Sequence, residues 1–152
     1  MGVIMYPSTE SILASITFEI DMPPSAIRGN NRSHHYNYNK TFQNYLNKAV
    51  GLIFEAINMQ SLNIPYKNCL ISYTFMNNRS IDLDNFIYGM KAVQDALVRA
   101  EIITDDDALT INPIAKFQKC TIHERKVVVE LYDTTRYQSV AIWADSELLL
   151  ML

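Results

Sequence analysis

The sequence predicts an α+β domain in which two helices cover a small mixed sheet, in the order β-α-β-α-β-β. Three observations carry this. Short apolar runs with strand character fall at Ile12–Asp21, Asn68–Met76 and Lys126–Tyr132. Two longer stretches, Lys40–Met59 and Leu83–Ala100, repeat their apolar residues at helical spacing. With 152 residues, 49% of them hydrophobic and 11% aromatic, the chain can build one real core and is not of disordered composition. A single domain is expected over residues 1–132, followed by a tail over 133–152.

Residues 1–11 read as a loose tail. In the first strand, Ile16, Phe18 and Ile20 share one face, and Pro23-Pro24 ends it. Ser25–Asn39 is polar and reads as a loop that interleaves Arg28 and Arg32 with His34, His35, Tyr36 and Tyr38. Such a mixture suits contact with phosphates and bases, and it equally fits a solvated loop. The adjacent histidines do not make a zinc site, because no cysteine or third histidine stands at a usable spacing. The first helix places Phe42, Tyr45, Leu46, Ala49, Val50, Ile53, Ala56 and Ile57 on one stripe, which is core packing.

In the second strand Cys69, Ile71, Tyr73 and Phe75 share a face opposite Ser72 and Thr74. Asn77-Asn78-Arg79-Ser80 is a turn, and the second helix follows from about Leu83 to Ala100. Ala108–Lys119 reads as extended, with Pro113 implying an edge or a bulge. Lys126–Tyr132 reads as a final strand, joined to its predecessor as a hairpin. The tail contains Trp143 and Leu148-Leu149-Leu150, which suggests a short packing helix or a subunit contact.

No apolar run reaches the roughly 18 residues that a membrane helix needs. The start, Met1-Gly2-Val3-Ile4-Met5-Tyr6, has neither the basic region nor the apolar core of a signal peptide, and Tyr6 breaks a myristoylation pattern. Cys69 and Cys120 lack metal-ligand spacing and sit in apolar stretches, so they read as buried, reduced thiols in a cytoplasmic protein.

Five carboxylates fall in two clusters, Asp82-Leu83-Asp84-Asn85 and Asp105-Asp106-Asp107, on either side of the second helix. Grouping such charges is costly unless a cation neutralises them, and oxygen-only ligation suits Mg²⁺ or Mn²⁺. An N-cap role accounts for one carboxylate at a helix start, but not for two with a triple Asp beyond the helix. At about 100° per residue, Tyr88, Lys91 and Asp95 fall on the side of Asp84, while Phe86, Ile87, Met90, Val93 and Leu97 face the core. If the strand after Asp107 runs beside the strand before Asp82, the two clusters can meet at one end of the sheet and hold one or two ions against a phosphodiester. Lys91 then either assists at the phosphate or simply pairs with Asp95 at i,i+4.

A calcium loop fails, because Phe86 and Ile87 stand where an EF-hand needs a ligand and a glycine. No Ser-His-Asp order, Walker loop or Gly-x-Gly-x-x-Gly appears. The net charge of −3 argues weakly against nucleic acid. Of 16 acidic residues five are clustered, leaving 11 against 13 Lys and Arg, so charge does not decide the partner.

Asp82-Leu83-Asp84-Asn85, then Lys91 with Asp95-Ala96-Leu97, then Ile103-Thr104-Asp105-Asp106-Asp107 resembles the RusA-like crossover-junction endodeoxyribonucleases. Met22-Pro23-Pro24-Ser25 followed by Asn31-Arg32 resembles that family's N-terminal element. The likeness covers roughly residues 14–132, with the central block the most specific part. The resemblance implies a homodimeric, Mg²⁺-dependent, phage-like nuclease of recombination and repair that cuts four-way (Holliday) junctions symmetrically. It implies catalytic carboxylates at Asp82, Asp84 and Asp106 with Lys91 in support. Counting back from Ala108 selects Asp107 instead, so both remain candidate metal ligands. Arg28, Arg32, Lys40 and Arg79 are the expected DNA contacts. The interval from Asp84 to Lys91 is longer than the family's usual spacing. A catalytically inactive or weak binder of branched DNA is the alternative reading, and a third is a domain whose carboxylates act only in folding.

Overall fold

The computed structural model describes residues 14–29, 35–57 and 64–135. The expected N-terminal tail, Arg32, His34 and most of the expected C-terminal tail, Trp143 included, lie outside the described residues. The elements are β1 (Ile16–Ile20), α1 (His35–Ile57), β2 (Cys69–Asn77), α2 (Leu83–Gly89), α3 (Lys91–Arg99), β3 (Ile111–Lys119) and β4 (Lys126–Asp133). The fold is α+β, with a four-stranded mixed sheet in the order β1-β4-β2-β3.

β2 and β3 are parallel, with Cys69 opposite Ile111 and Asn77 opposite Lys119. β4 runs antiparallel to both β1 and β2. β1, β2 and β3 therefore point the same way, and helices carry the chain back between them. The alternation in the strands decides the covered face. Ile16, Phe18 and Ile20 of β1, Ile71, Tyr73 and Phe75 of β2, and Val127, Val129 and Leu131 of β4 are buried with Tyr45, Leu46, Ala49 and Ile53 of α1 and Val93, Ala96 and Leu97 of α3. Cys69 is in this core, and burial pushes its thiol up to about 12, with Asp133 adding a smaller push. Cys120 is not buried as expected but partly exposed, because it follows the edge strand β3, and both cysteines are free thiols.

Three expectations are corrected. β3 and β4 do not form a hairpin. After β3 the Cys120 N–H donates to the Asn77 carbonyl at 3.0 Å, and a short 3-10 turn at Ile122–Glu124 carries the chain across the end of β2. β4 can then pair with β2 on the side away from β3, where its valine-rich sequence suits a central strand. β3 is left at the edge, the position in which Pro113 is tolerated.

The first helix begins at His35, so the end of the supposed loop is helical. Tyr38 stacks on Phe42 with ring centroids 5.8 Å apart, and the His35 and Asn39 side chains bond at 3.1 Å, both at i,i+4. The second helix is two helices, broken at Met90. There the Met90 N–H bonds back to Ile87 at 2.9 Å, a tightened turn beside Gly89. Among the described residues no helix is long and apolar enough to cross a membrane.

Candidate active site

The Asp-Leu-Asp-Asn segment lies where β2 gives way to α2. Asp82 is the N-cap residue of α2, extended at φ −79° and ψ 103°, and its carboxylate makes no capping bond. Its carbonyl accepts the Phe86 N–H at 3.4 Å. Asp84 stands in the first turn, favoured there by the positive end of the helix, and both carboxylates are exposed. Phe86 anchors the turn from below, buried edge-on to Phe75 with centroids 5.9 Å apart.

Lys91 opens α3. Its Nζ contacts Asp95 Oδ1 at 2.9 Å and, closer still, Asp106 Oδ2. The Asp106 bond above all holds the ammonium above the usual lysine range, with Asp95 adding to it. In turn the Lys91 bond holds the Asp106 carboxyl below the usual carboxylate range. The chain reaches this position by doubling back after α3. Glu101 adopts φ 60°, the Ile102 N–H returns to the Leu97 carbonyl at 3.0 Å, and Ile102 and Ile103 are buried.

Asp105 and Asp107 do different work. Asp105 Oδ1 accepts the Asp106 N–H at 2.8 Å. Asp107 Oδ1 accepts the N–H of Leu109 and of Thr110, both at 3.0 Å, and the Thr110 hydroxyl at 2.9 Å. That oxygen builds the turn into β3, as aspartate commonly does.

The basic and aromatic residues divide in the same way. Arg28 is half-buried, with Nε donating to the Pro23 carbonyl at 2.8 Å and its guanidinium carbon 4.1 Å from the centroid of the Phe86 ring. Burial lowers its pKa, and Arg125 nearby lowers it further. Lys40, on α1, and Arg79, in the turn after β2, are exposed. The Arg79 carbonyl accepts from Asn77 Nδ2 at 2.9 Å. The Tyr38 hydroxyl is held above the usual tyrosine range by burial and by the neighbouring, exposed Tyr88.

The structure thus joins Lys91 to Asp106 and Asp95, and it places Asp82 and Asp84 together at the start of α2. The donor set is all carboxylate, chemistry that fits a hard divalent cation. Among the described residues, however, no three His, Cys, Asp or Glu side chains form a group that could hold a metal ion. The arrangement as it stands offers an ammonium between two carboxylates and two exposed carboxylates at a helix start. Sequence reading missed two contacts between the β1–α1 loop and α2, Gly29 with Asn85 and Pro23 with Gly89. A glycine inside a helical pattern, as at Gly89, is the one signal that pointed there. No family model and no curated protein sequence matches this chain.

Proposed function

We propose that this chain is a Mg²⁺-dependent endodeoxyribonuclease that resolves four-way DNA junctions, hydrolysing phosphodiester bonds symmetrically as a homodimer of the RusA-like kind. The observation that carries the reading is Lys91 held on Asp106, just beyond the helix whose N-cap and first turn expose Asp82 and Asp84. Asp82, Asp84 and Asp106 would hold the ion, and Mn²⁺ would serve the same oxygen donors. Asp107 is the weaker candidate for third ligand, because one of its oxygens already accepts three bonds in its own turn. When bound, the ion supplies electrostatic stabilisation of the attacking and leaving oxygens. Lys91 places a positive charge beside the same carboxylate, where it can steady a phosphate. Arg79 and Lys40, both exposed, and Arg32 would meet the DNA backbone.

One observation favours a second reading, a dimer that binds branched DNA and cuts it weakly or not at all. Among the described residues the carboxylates do not gather as a metal-binding group. A synthetic four-way junction with Mg²⁺ separates the two. Symmetric cleavage is expected, and Asp84→Asn should reduce its rate by about two orders of magnitude while leaving junction affinity intact, since removing a negative charge does not weaken attraction to phosphate. Binding without cleavage would establish the second reading. Cleavage that survives Asp84→Asn would refute the assigned carboxylates, and no binding even at low salt would leave them a purely structural role.

A further inference from the structure

The loop between β1 and α1 is fastened to α2. The Gly29 N–H donates to the Asn85 carbonyl at 3.2 Å. Arg28 Nε closes the loop on itself through the Pro23 carbonyl at 2.8 Å, and the guanidinium lies over the Phe86 ring at 4.1 Å. Pro23 presses on Gly89 so closely that a Cβ there would fall 2.6 Å from the Pro23 Cβ. Ile27 is buried between these points. Besides these contacts, the helix is held by the packing of Phe86 on Phe75 and not by its own length or cap. α2 has only seven residues, and the Asp82 side chain makes no capping bond.

We propose that Arg28 is a positioning residue for Asp84. Its guanidinium locks the Pro23–Gly29 loop onto Phe86 and thereby fixes the first turn of α2, from which Asp84 and Asn85 project. The clamp stands on the contacts above, and only its purpose rests on the nuclease reading. This assigns Arg28 an internal task in place of the phosphate contact that its position in a basic loop suggested. A guanidinium can do both parts of the task at once, donating through Nε in its plane while stacking through its face. An ammonium has no such plane, so lysine is not an equivalent. Small displacements of a reacting group cost rate steeply, which is how a residue outside the chemistry comes to control it.

Arg28→Gln, Arg28→Lys and Gly29→Ala test the clamp. At residue 29 a Cβ would meet Asn85 Oδ1 at 3.1 Å, so Gly29→Ala loosens the same contact without touching charge. Three quantities are read for each variant: the single-turnover cleavage rate of a four-way junction in Mg²⁺, the salt dependence of junction affinity, and amide hydrogen exchange over residues 82–89 without DNA. All three variants should cut about ten- to a hundredfold more slowly. They should keep the wild-type affinity and salt slope, and they should exchange faster in the first turn of α2. A slope shallower by about 0.9 in Arg28→Gln, with wild-type exchange and a wild-type Arg28→Lys, would make Arg28 a phosphate contact and overturn the proposal. Unchanged cleavage with unchanged exchange would overturn it as well. If the unaltered protein cuts no junction, the nuclease reading falls by itself. The exchange measurement then still decides the clamp, faster exchange upholding it and unchanged exchange ending it. Should Arg28→Gln fail to fold, Arg28→Lys and Gly29→Ala carry the same comparison.

Discussion

Lys91 meets two carboxylates, and the sequence disclosed one of them. Asp95 follows at i,i+4, a spacing that puts two side chains together on any helix. Asp106 arrives only because the chain turns at Glu101 and runs back along α3, a path that no local pattern encodes. The Asp106 carboxylate is the less exposed partner, at 21% against 33% for Asp95, so its pair is less screened. Asp106→Asn should therefore cost up to about 1 kcal/mol near neutral pH, measured by denaturant unfolding. The sign of its pH dependence follows from the direction of the shifts. The Asp106 carboxyl is held low, so its contribution is present above the ordinary carboxylate range and is lost as the pH falls through the lowered value. The Lys91 ammonium is held high, so its share persists below the ordinary lysine range and is lost only in strongly alkaline solution. The gap between wild type and Asp106→Asn should accordingly be flat across neutral pH and close in acid. A gap that widens in acid would contradict the pairing.

α2 and α3 look like one helix in the sequence because their apolar residues keep a single period through Met90. The break stands beside a tight contact. Gly89 is buried against Pro23 with no space for a side chain, and its φ is not positive, so its smallness rather than its freedom matters. Gly89→Ala should destabilise the fold by about 1–3 kcal/mol, the usual cost of overpacking against a rigid ring, with the change read as a lower denaturation midpoint. An unchanged midpoint would mean that α2 can slide away from the loop. The same element shows why the site was half legible. Asp82, Asp84 and the helix start were plain in the sequence, because a strand, a turn and an amphipathic stripe each leave a local signature. The contact of Gly29 with Asn85 joins two segments far apart in the chain and leaves none. The start of α1 was missed for a related reason: its first turns are polar, and side-chain pairs at i,i+4, His35 with Asn39 and Tyr38 with Phe42, support them as helix.

Across the molecule, burial was legible and connectivity was not. Alternation placed Ile16, Phe18, Ile20, Ile71, Tyr73 and Phe75 correctly in the core. Nearness in sequence then suggested that β4 pairs with β3, whereas β4 enters between β1 and β2. Among the described residues β4 is the sole strand partner of β1, and Val127, Val129 and Leu131 are fully buried. A chain ending at Arg125 should consequently lose cooperative thermal unfolding altogether, measurable by calorimetry, and a retained sharp transition would argue against this strand order. The arrangement also sets a schedule for biosynthesis. Ile20 must wait for Val127 before its strand is paired. At about 5–20 residues per second, the ribosome leaves that partner missing for roughly five to twenty seconds. During this interval the apolar face of β1 can rest on α1, while the hydrogen-bonding edge that β4 will fill stays open.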